Sequence, residues 1–179
     1  IGLEVAAVAR KRGMNVTVVE AGERLLGRVT GEAVSDFYAM THRAKGVDIC
    51  LRATVAAFEG ASRVRAVRLS SGEQLPCDLA VIGIGVDAND ELAMYSGIEV
   101  EPGEGIVVDP TMRTSDPDIY AIGDCALAEN AFARRRQRIE SVANAIEQGR
   151  IAAAHAAGAS VPAPAVPWFW SDQYDVKLQ

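Results

Sequence analysis

Two acids placed at the ends of apolar runs are the residues most able to do chemistry in this sequence. Asp124 closes the run Ile119–Asp124 (IYAIGD), directly after Gly123. A carboxylate where a buried strand meets a glycine turn can hold a ribityl or ribose hydroxyl in a bidentate hydrogen bond, while nearby backbone N–H groups face a phosphate. An Asp in that place also serves as an ordinary turn residue. Glu20 ends the run VTVVE and lies about as far beyond Gly2 as a ribose-binding acid lies beyond the last glycine of G-x-G-x-x-G. A surface acid after a strand is the plainer reading. Ser141 precedes the small-residue run VANAIEQGR and is a good helix N-cap. The free N–H groups and positive dipole end behind it suit an electron-rich carbonyl or an anion, although a capped helix packed on a sheet would look the same.

The elements that must position these residues are legible from hydrophobic period. Gly2–Arg12 has helical spacing with Leu3, Ala6, Ala7 and Ala9–Arg10 forming a small-residue face; Gly13 ends it and Asn15–Glu20 is a strand. Helix, Gly, then a strand ending in Glu is the back half of a Rossmann unit. Gly2 then stands as its third glycine, with the first strand and the first two glycines expected ahead of Ile1; the chain does not begin with Met. Thr30–Lys45 is a helix with Ala33, Phe37 and Met40–Thr41 on one side, ended by Gly46 and followed by a strand at Val47–Leu51. Thr54–Phe58, Val64–Ser70 and Gln74–Pro76 form hairpins, the second turned by Ser71-Gly72. Asp78–Gly83 (DLAVIG) is expected as a parallel strand buried on both faces. It runs into Gly83-Ile84-Gly85, where missing side chains either let a ligand approach or simply make a bend. Asp90–Ser96 is a short helix, Gly105–Val108 a strand, RTSDPD a polar link, IYAIGD a second strand leading into a helix start, and Asn130–Arg138 a charged loop. Ser141–Ala157 is a helix, closed by the link GASVPAPAVP.

Composition bounds the function classes. The sequence has 179 residues, 49% hydrophobic and 23% charged, near the globular average. Its net charge of −6 argues against general nucleic-acid binding. Arg134, Arg135, Arg136 and Arg138 form a local cluster, read as a solvated loop against the alternative of a binding patch. No apolar run approaches the roughly 20 residues that span a bilayer, and no signal peptide is visible, so a cytoplasmic place is expected. Cys50, Cys77 and Cys125 are scattered and never form C-x-x-C, which excludes a sequence-adjacent redox disulfide. No metal site is expected. Trp168, Phe169 and Trp170 follow the Pro-rich link and must either pack a core or lie against something large and flat.

In combination these segments resemble a known family. Thr114, Ile119, Tyr120, Ala121, Gly123 and Asp124 match the second FAD fingerprint, T-x-x-x-x-[IV]-[YF]-A-x-G-D, of pyridine-nucleotide-dependent flavoprotein reductases. ESV-x-NA-x-EQ from Glu140, followed by PWFWSDQY from Pro167, is similar to the ferredoxin/rubredoxin reductase family of FAD enzymes. The resemblance covers essentially the whole chain. It implies that Glu4 sits by the flavin and nicotinamide and that Ile1 lies against the nicotinamide phosphate region. It also implies that Glu20 holds the adenosine ribose and favours NADH over NADPH, that Arg28 reaches the adenosine side, and that Gly83 and Gly85 line the NAD cleft. Asp124 with Gly123 would bind the ribityl chain, and Val142 would offer its N–H to the flavin ring. Glu140 would lie beside the nicotinamide pocket, Trp170 near the isoalloxazine edge, and Arg150 near the face where an iron–sulfur partner docks.

The expected fold is therefore α/β, with Rossmann-like nucleotide-binding layers: residues 1–87 as most of an NAD domain, 88–165 as the second half of an FAD domain, and 166–179 as the start of a C-terminal α+β domain. The expected activity is transfer of electrons from NADH through FAD to a [2Fe–2S] ferredoxin or a rubredoxin that serves an oxygenase, with positioning and electrostatics rather than general acid–base groups carrying it. The N-terminal FAD fingerprint, the Lys near flavin N5 and most of the C-terminal domain lie outside the sequence, so this chain alone is expected to be inactive. Two other readings remain open on sequence: an FAD reductase with a small-molecule or in-chain acceptor, of the monodehydroascorbate or nitrite reductase kind, and an interaction protein of the apoptosis-inducing-factor kind.

Overall fold

Leu3, Ala6 and Ala7 recur at helical spacing and are the buried face of α1 (Gly2–Lys11) in the computed structural model, which describes residues 1–179. After α1, the chain turns at Gly13, which adopts φ +80°, and enters β1 (Val16–Glu20). A crossover through α2 (Glu32–Ala44) then returns it as β2 (Val47–Leu51). β1 and β2 pair in parallel, from Val16 opposite Val47 to Glu20 opposite Leu51. A parallel pair needs such a crossover, and the helix covers the strands' apolar side. Leu3, Leu25 and Ala39 are buried together there, packed by Val18, Leu26, Ile49 and Leu51. An antiparallel meander follows, formed by β3 (Val55–Glu59), β4 (Ala66–Leu69) and β5 (Gln74–Pro76).

The chain forms two units, Ile1–Ile84 with Ser171–Leu178, and Gly85–Trp170. The second begins with a short α3 (Glu91–Tyr95) and builds one sheet from β6 (Val100–Glu101), β7 (Gly105–Val107), β8 (Ala126–Asn130) and β9 (Arg135–Gln137), in that order. β7 and β8 are parallel, while the outer pairs are antiparallel. α4 (Val142–Ala156) adds Ile151 and Ala152 to a core of Val108, Met112, Ala121, Ala126 and Ala128. The Ser141 hydroxyl accepts the Asn144 N–H at 3.2 Å, the expected N-cap bond. The last hairpin, β10 (Ser171–Gln173) with β11 (Val176–Leu178), belongs to the first unit.

Four local expectations are corrected. Asp78–Gly83 is not a ladder strand: β1 and β2 pair only with each other, and Leu79, Val81 and Ile82 are exposed. An apolar run reports what a strand would bury, not whether a neighbour is present to take its N–H and C=O groups. Ile119–Asp124 is likewise not a strand. It holds one bridge, Arg113 to Tyr120, then a 3-10 turn at Gly123–Cys125 that leads into β8 rather than into a helix. Asn130–Arg138 is not an open loop, because most of it forms the β8–β9 hairpin. Finally, α2 buries Ser35, Tyr38, Ala39 and His42, leaving Phe37 and Met40 exposed. Its polar residues are buried because distant partners receive them: the Ser35 hydroxyl bonds the Leu25 carbonyl, and His42 bonds Gln173.

Candidate functional site

Ligand-bearing positions in parallel α/β sheets lie beyond the carboxyl ends of the strands, and Glu20 is the last residue of β1. Its Oε1 accepts the Gly22 N–H at 2.7 Å, which fixes the carboxylate's rotamer and leaves Oε2 free. A Cβ on Gly22 would stand only 3.1 Å from that oxygen. Gly2 opens α1, which has no side-chain cap, so the N–H groups of its first turn are unshielded. A Cβ on Gly83 would meet Gly2 N at 3.6 Å; the two glycines thus bring bare backbone together at the helix start. Ile1 is exposed beside them. Arg28 is exposed and makes no hydrogen bond or ion pair. Arg24, which the sequence did not single out, shapes this loop: its guanidinium donates to Thr30 O at 2.7 Å, Ser35 Oγ at 3.0 Å and Gly27 O at 3.1 Å. Glu4, in the first turn of α1, accepts the Ser171 hydroxyl at 2.8 Å.

The second unit holds the other group of predicted residues. Gly123 has φ +76°, a conformation few side chains tolerate, and donates its N–H to buried Gln148 Oε1 at 2.7 Å. A Cβ there would press on Ala145 at 3.4 Å, so the turn lies close against α4. Asp124 follows with its side chain exposed and its carboxylate unpartnered. Its carbonyl accepts from Arg138 Nη1 at 2.9 Å, and the same guanidinium donates to Val86 O at 3.1 Å and pairs with Glu140 at 3.1 Å. Arg138 is only 12% exposed, which removes it from the solvated cluster in which the sequence placed it. Its bonds go to backbone carbonyls, and no local pattern announces those.

At the start of α4, Ser141 takes the Asn144 N–H, while the N–H groups of Val142 and Ala143 have no partner; the Val142 side chain is 61% exposed. Gly85 adopts φ +102°, left-handed territory suited to glycine. Trp170 is half exposed and lies 5.3 Å, centroid to centroid, from Trp168. Arg150 is exposed on α4, with a loose ion pair to Glu147 at 3.8 Å. A free carboxylate after a glycine turn is an acceptor for hydroxyl groups. Two free N–H groups at a helix start are donors for a ring carbonyl or an anion. The residues present therefore fit the ribityl and ring edges of a flavin, and the glycine-lined helix start with Glu20 fits a dinucleotide.

Comparisons with known proteins point the same way. The pyridine nucleotide-disulphide oxidoreductase family profile matches residues 1–149. The ferredoxin reductase subunit of 5,5'-dehydrodivanillate O-demethylase from Sphingobium sp. is 48% identical over the whole chain, which covers 44% of that protein. Putidaredoxin reductase of Pseudomonas putida is 47% identical, with 100% of this chain and 43% of the relative covered. The structure of a covalent putidaredoxin reductase–putidaredoxin complex superposes with a TM-score of 0.94 over 99% of this chain and 43% of the other, at 47% identity. A ferredoxin reductase from Rhodopseudomonas palustris gives a TM-score of 0.92 over 98% and 43%, at 42% identity. The fold is the Rossmann-like nucleotide-binding fold of these structures. The chain spans less than half the length of the relatives it matches.

Proposed function

The chain belongs to the pyridine nucleotide-disulphide oxidoreductase family, and from that premise we propose that the protein is a cytoplasmic NADH-dependent reductase that works through FAD and delivers electrons to a [2Fe–2S] ferredoxin or a rubredoxin. The observation that carries this reading is Asp124: an exposed acid with no partner, on a left-handed glycine turn packed against the first turn of α4. The relatives' names add the acceptor class, since matched proteins include a ferredoxin reductase subunit and a rubredoxin-NAD(+) reductase.

Bound FAD would supply the chemistry, accepting a hydride from NADH and releasing electrons singly. This chain's residues bind and orient. Asp124 holds the ribityl hydroxyls, with Gly123 keeping the turn tight. The Val142 N–H points a donor at the ring, and Glu140 and Trp170 border the ring and nicotinamide. On the nucleotide side, Glu20 takes the adenosine ribose and Arg28 the adenosine flank. Gly2, Gly83 and Gly85 give close backbone approach, Ile1 borders the nicotinamide phosphate, and Glu4 faces the nicotinamide. Arg150 serves the docking face of the protein partner. Residues 1–87 then act as the NAD part and 88–165 as the FAD part, with 166–179 leading into a C-terminal domain.

The test is steady-state NADH oxidation by the full-length enzyme with cytochrome c as final acceptor, with and without an added [2Fe–2S] ferredoxin or rubredoxin. The expected result is turnover that depends on the added carrier. Equal cytochrome c reduction without it would move the protein to the class of FAD reductases with small-molecule acceptors.

A further inference from the structure

Five side chains of the first unit, Glu4 among them, form one hydrogen-bonded chain that ends on Glu4. The Ser171 hydroxyl lies 2.8 Å from Glu4 Oε1, Gln173 Nε2 lies 2.9 Å from Ser171 Oγ, and Gln173 Oε1 lies 2.8 Å from His42 Nε2. The Tyr174 hydroxyl stands 3.3 Å from His42 Nδ1, with its ring edge-on to the imidazole. His42 is 0% exposed and Gln173 1%. Burying an imidazole and a carboxamide side by side is costly unless each is satisfied by the other.

The direction of every bond follows from its last member. An ionised carboxylate only accepts, so the single Ser171 hydroxyl proton must point to Glu4. Ser171 can then only accept from Gln173, which sets the amide with Nε2 toward Ser171 and Oε1 toward His42. Oε1 needs a donor, so His42 carries its proton on Nε2 and presents Nδ1 as the acceptor for Tyr174. Reversing the amide would leave two acceptors facing each other at the Glu4 end. Aligned bonds of this kind polarise one another and hold a single geometry.

We propose that Ser171, Gln173 and His42 are positioning residues for Glu4: through this chain, the β10–β11 hairpin and α2 hold Oε1, while Oε2, 3.4 Å from the Ile1 amino nitrogen, faces the start of α1 and is the oxygen offered to a nicotinamide nucleotide bound there. The inference rests on the reading of Glu4 given above. It makes the hairpin part of the nucleotide site, although none of its residues needs to touch the ligand.

The test uses the full-length flavoprotein. Ser171→Ala should weaken NADH binding about fivefold, as expected when water takes over part of a lost bond to a charged group, with kcat to ferricyanide within twofold and the melting temperature nearly unchanged. Ser171→Thr, which keeps the hydroxyl, should restore binding. In a Glu4→Ala background, Ser171→Ala should cost nothing further. The 15N resonances of His42 should report an Nε2-protonated ring. A fivefold loss that persists without Glu4, unaffected binding in Ser171→Ala, or an Nδ1-protonated His42 would each overturn the proposal. If the wild-type enzyme does not oxidise NADH at all, the proposed function fails. If the wild type is active and Glu4→Ala binds NADH normally, only this inference fails.

Discussion

Glu20 and Asp124 are both acids beside glycines, but their surroundings assign them different freedoms. Glu20 spends Oε1 on the Gly22 N–H, so replacing it removes both a turn bond and a negative charge. In the full-length enzyme, Glu20→Ala or Glu20→Arg should narrow the NADH/NADPH ratio of kcat/KM at least tenfold, about 1.4 kcal/mol. Glu20→Gln keeps an acceptor for Gly22 and separates the charge from the turn. An unchanged ratio in all three would remove Glu20 from the ribose site. Asp124 has no internal partner to lose. Asp124→Ala should therefore leave the melting temperature of the apoprotein nearly unchanged while weakening FAD by about 1.5–3 kcal/mol, read as flavin release on dilution. Full retention of flavin would reduce Asp124 to a turn residue. Both acids were legible because the apolar runs and glycines beside them mark them locally. Arg138 and Gln148 were not, because what they hold is backbone farther along the chain, and Arg24 was not, because the loop carbonyls it binds follow no periodic pattern.

At the scale of elements, the helices and the β1–β2 pair follow the sequence closely, since period and terminal glycines are local signals. The segments that departed from expectation are those whose form depends on a partner. Asp78–Gly83 lacks a ladder neighbour, and Asn130–Arg138 forms a hairpin because β8 finds β7 on its other edge. The link Asp109–Arg113 shows a local device at work. Asp109 Oδ1 accepts from Thr111 N at 2.8 Å, Thr111 Oγ1 at 2.6 Å and Arg113 N at 3.1 Å. Burial pushes the Asp109 carboxyl up, but those bonds, together with the Arg113 guanidinium, outweigh it and hold it below its ordinary 3.8. A depressed folded-state value means stability that is fully present above the unfolded value and is lost as pH falls through the folded one. Asp109→Asn should thus be less stable than the parent at neutral pH, with the gap closing below about pH 3.8 in urea titrations. A gap that stays constant into strong acid would show that the charge contributes nothing to this turn.

For the whole molecule, the charge balance sets how a partner is met. On the proposed function, an acidic iron–sulfur carrier would meet a chain of net charge −6, so productive docking would need local positive charge and should show a salt-dependent rate. Arg150, exposed on α4 and tied only loosely to Glu147, is free to supply it. Arg150→Glu should leave NADH-to-ferricyanide turnover within about twofold and slow ferredoxin reduction at least tenfold, roughly 1.4 kcal/mol. Equal loss in both assays would mean that the residue supports its own helix instead. The fold class was readable from one end of the sequence to the other, whereas the path linking Glu4 to His42 was not. That path joins residues more than a hundred positions apart, and no periodicity records such a meeting.

The unladdered run from Leu79 to Ile84 carries a hazard of another kind. Leu79, Val81, Ile82 and Ile84 stand exposed on a backbone that makes no hydrogen bonds of its own, with Asp78 before them and Asp87 beyond. Such a ribbon is a template for intermolecular strand pairing, with only the two flanking acids as gatekeepers. In this chain that ribbon is the segment most prone to pair with another copy, so a charged residue at Val81 should raise the concentration at which light scattering appears.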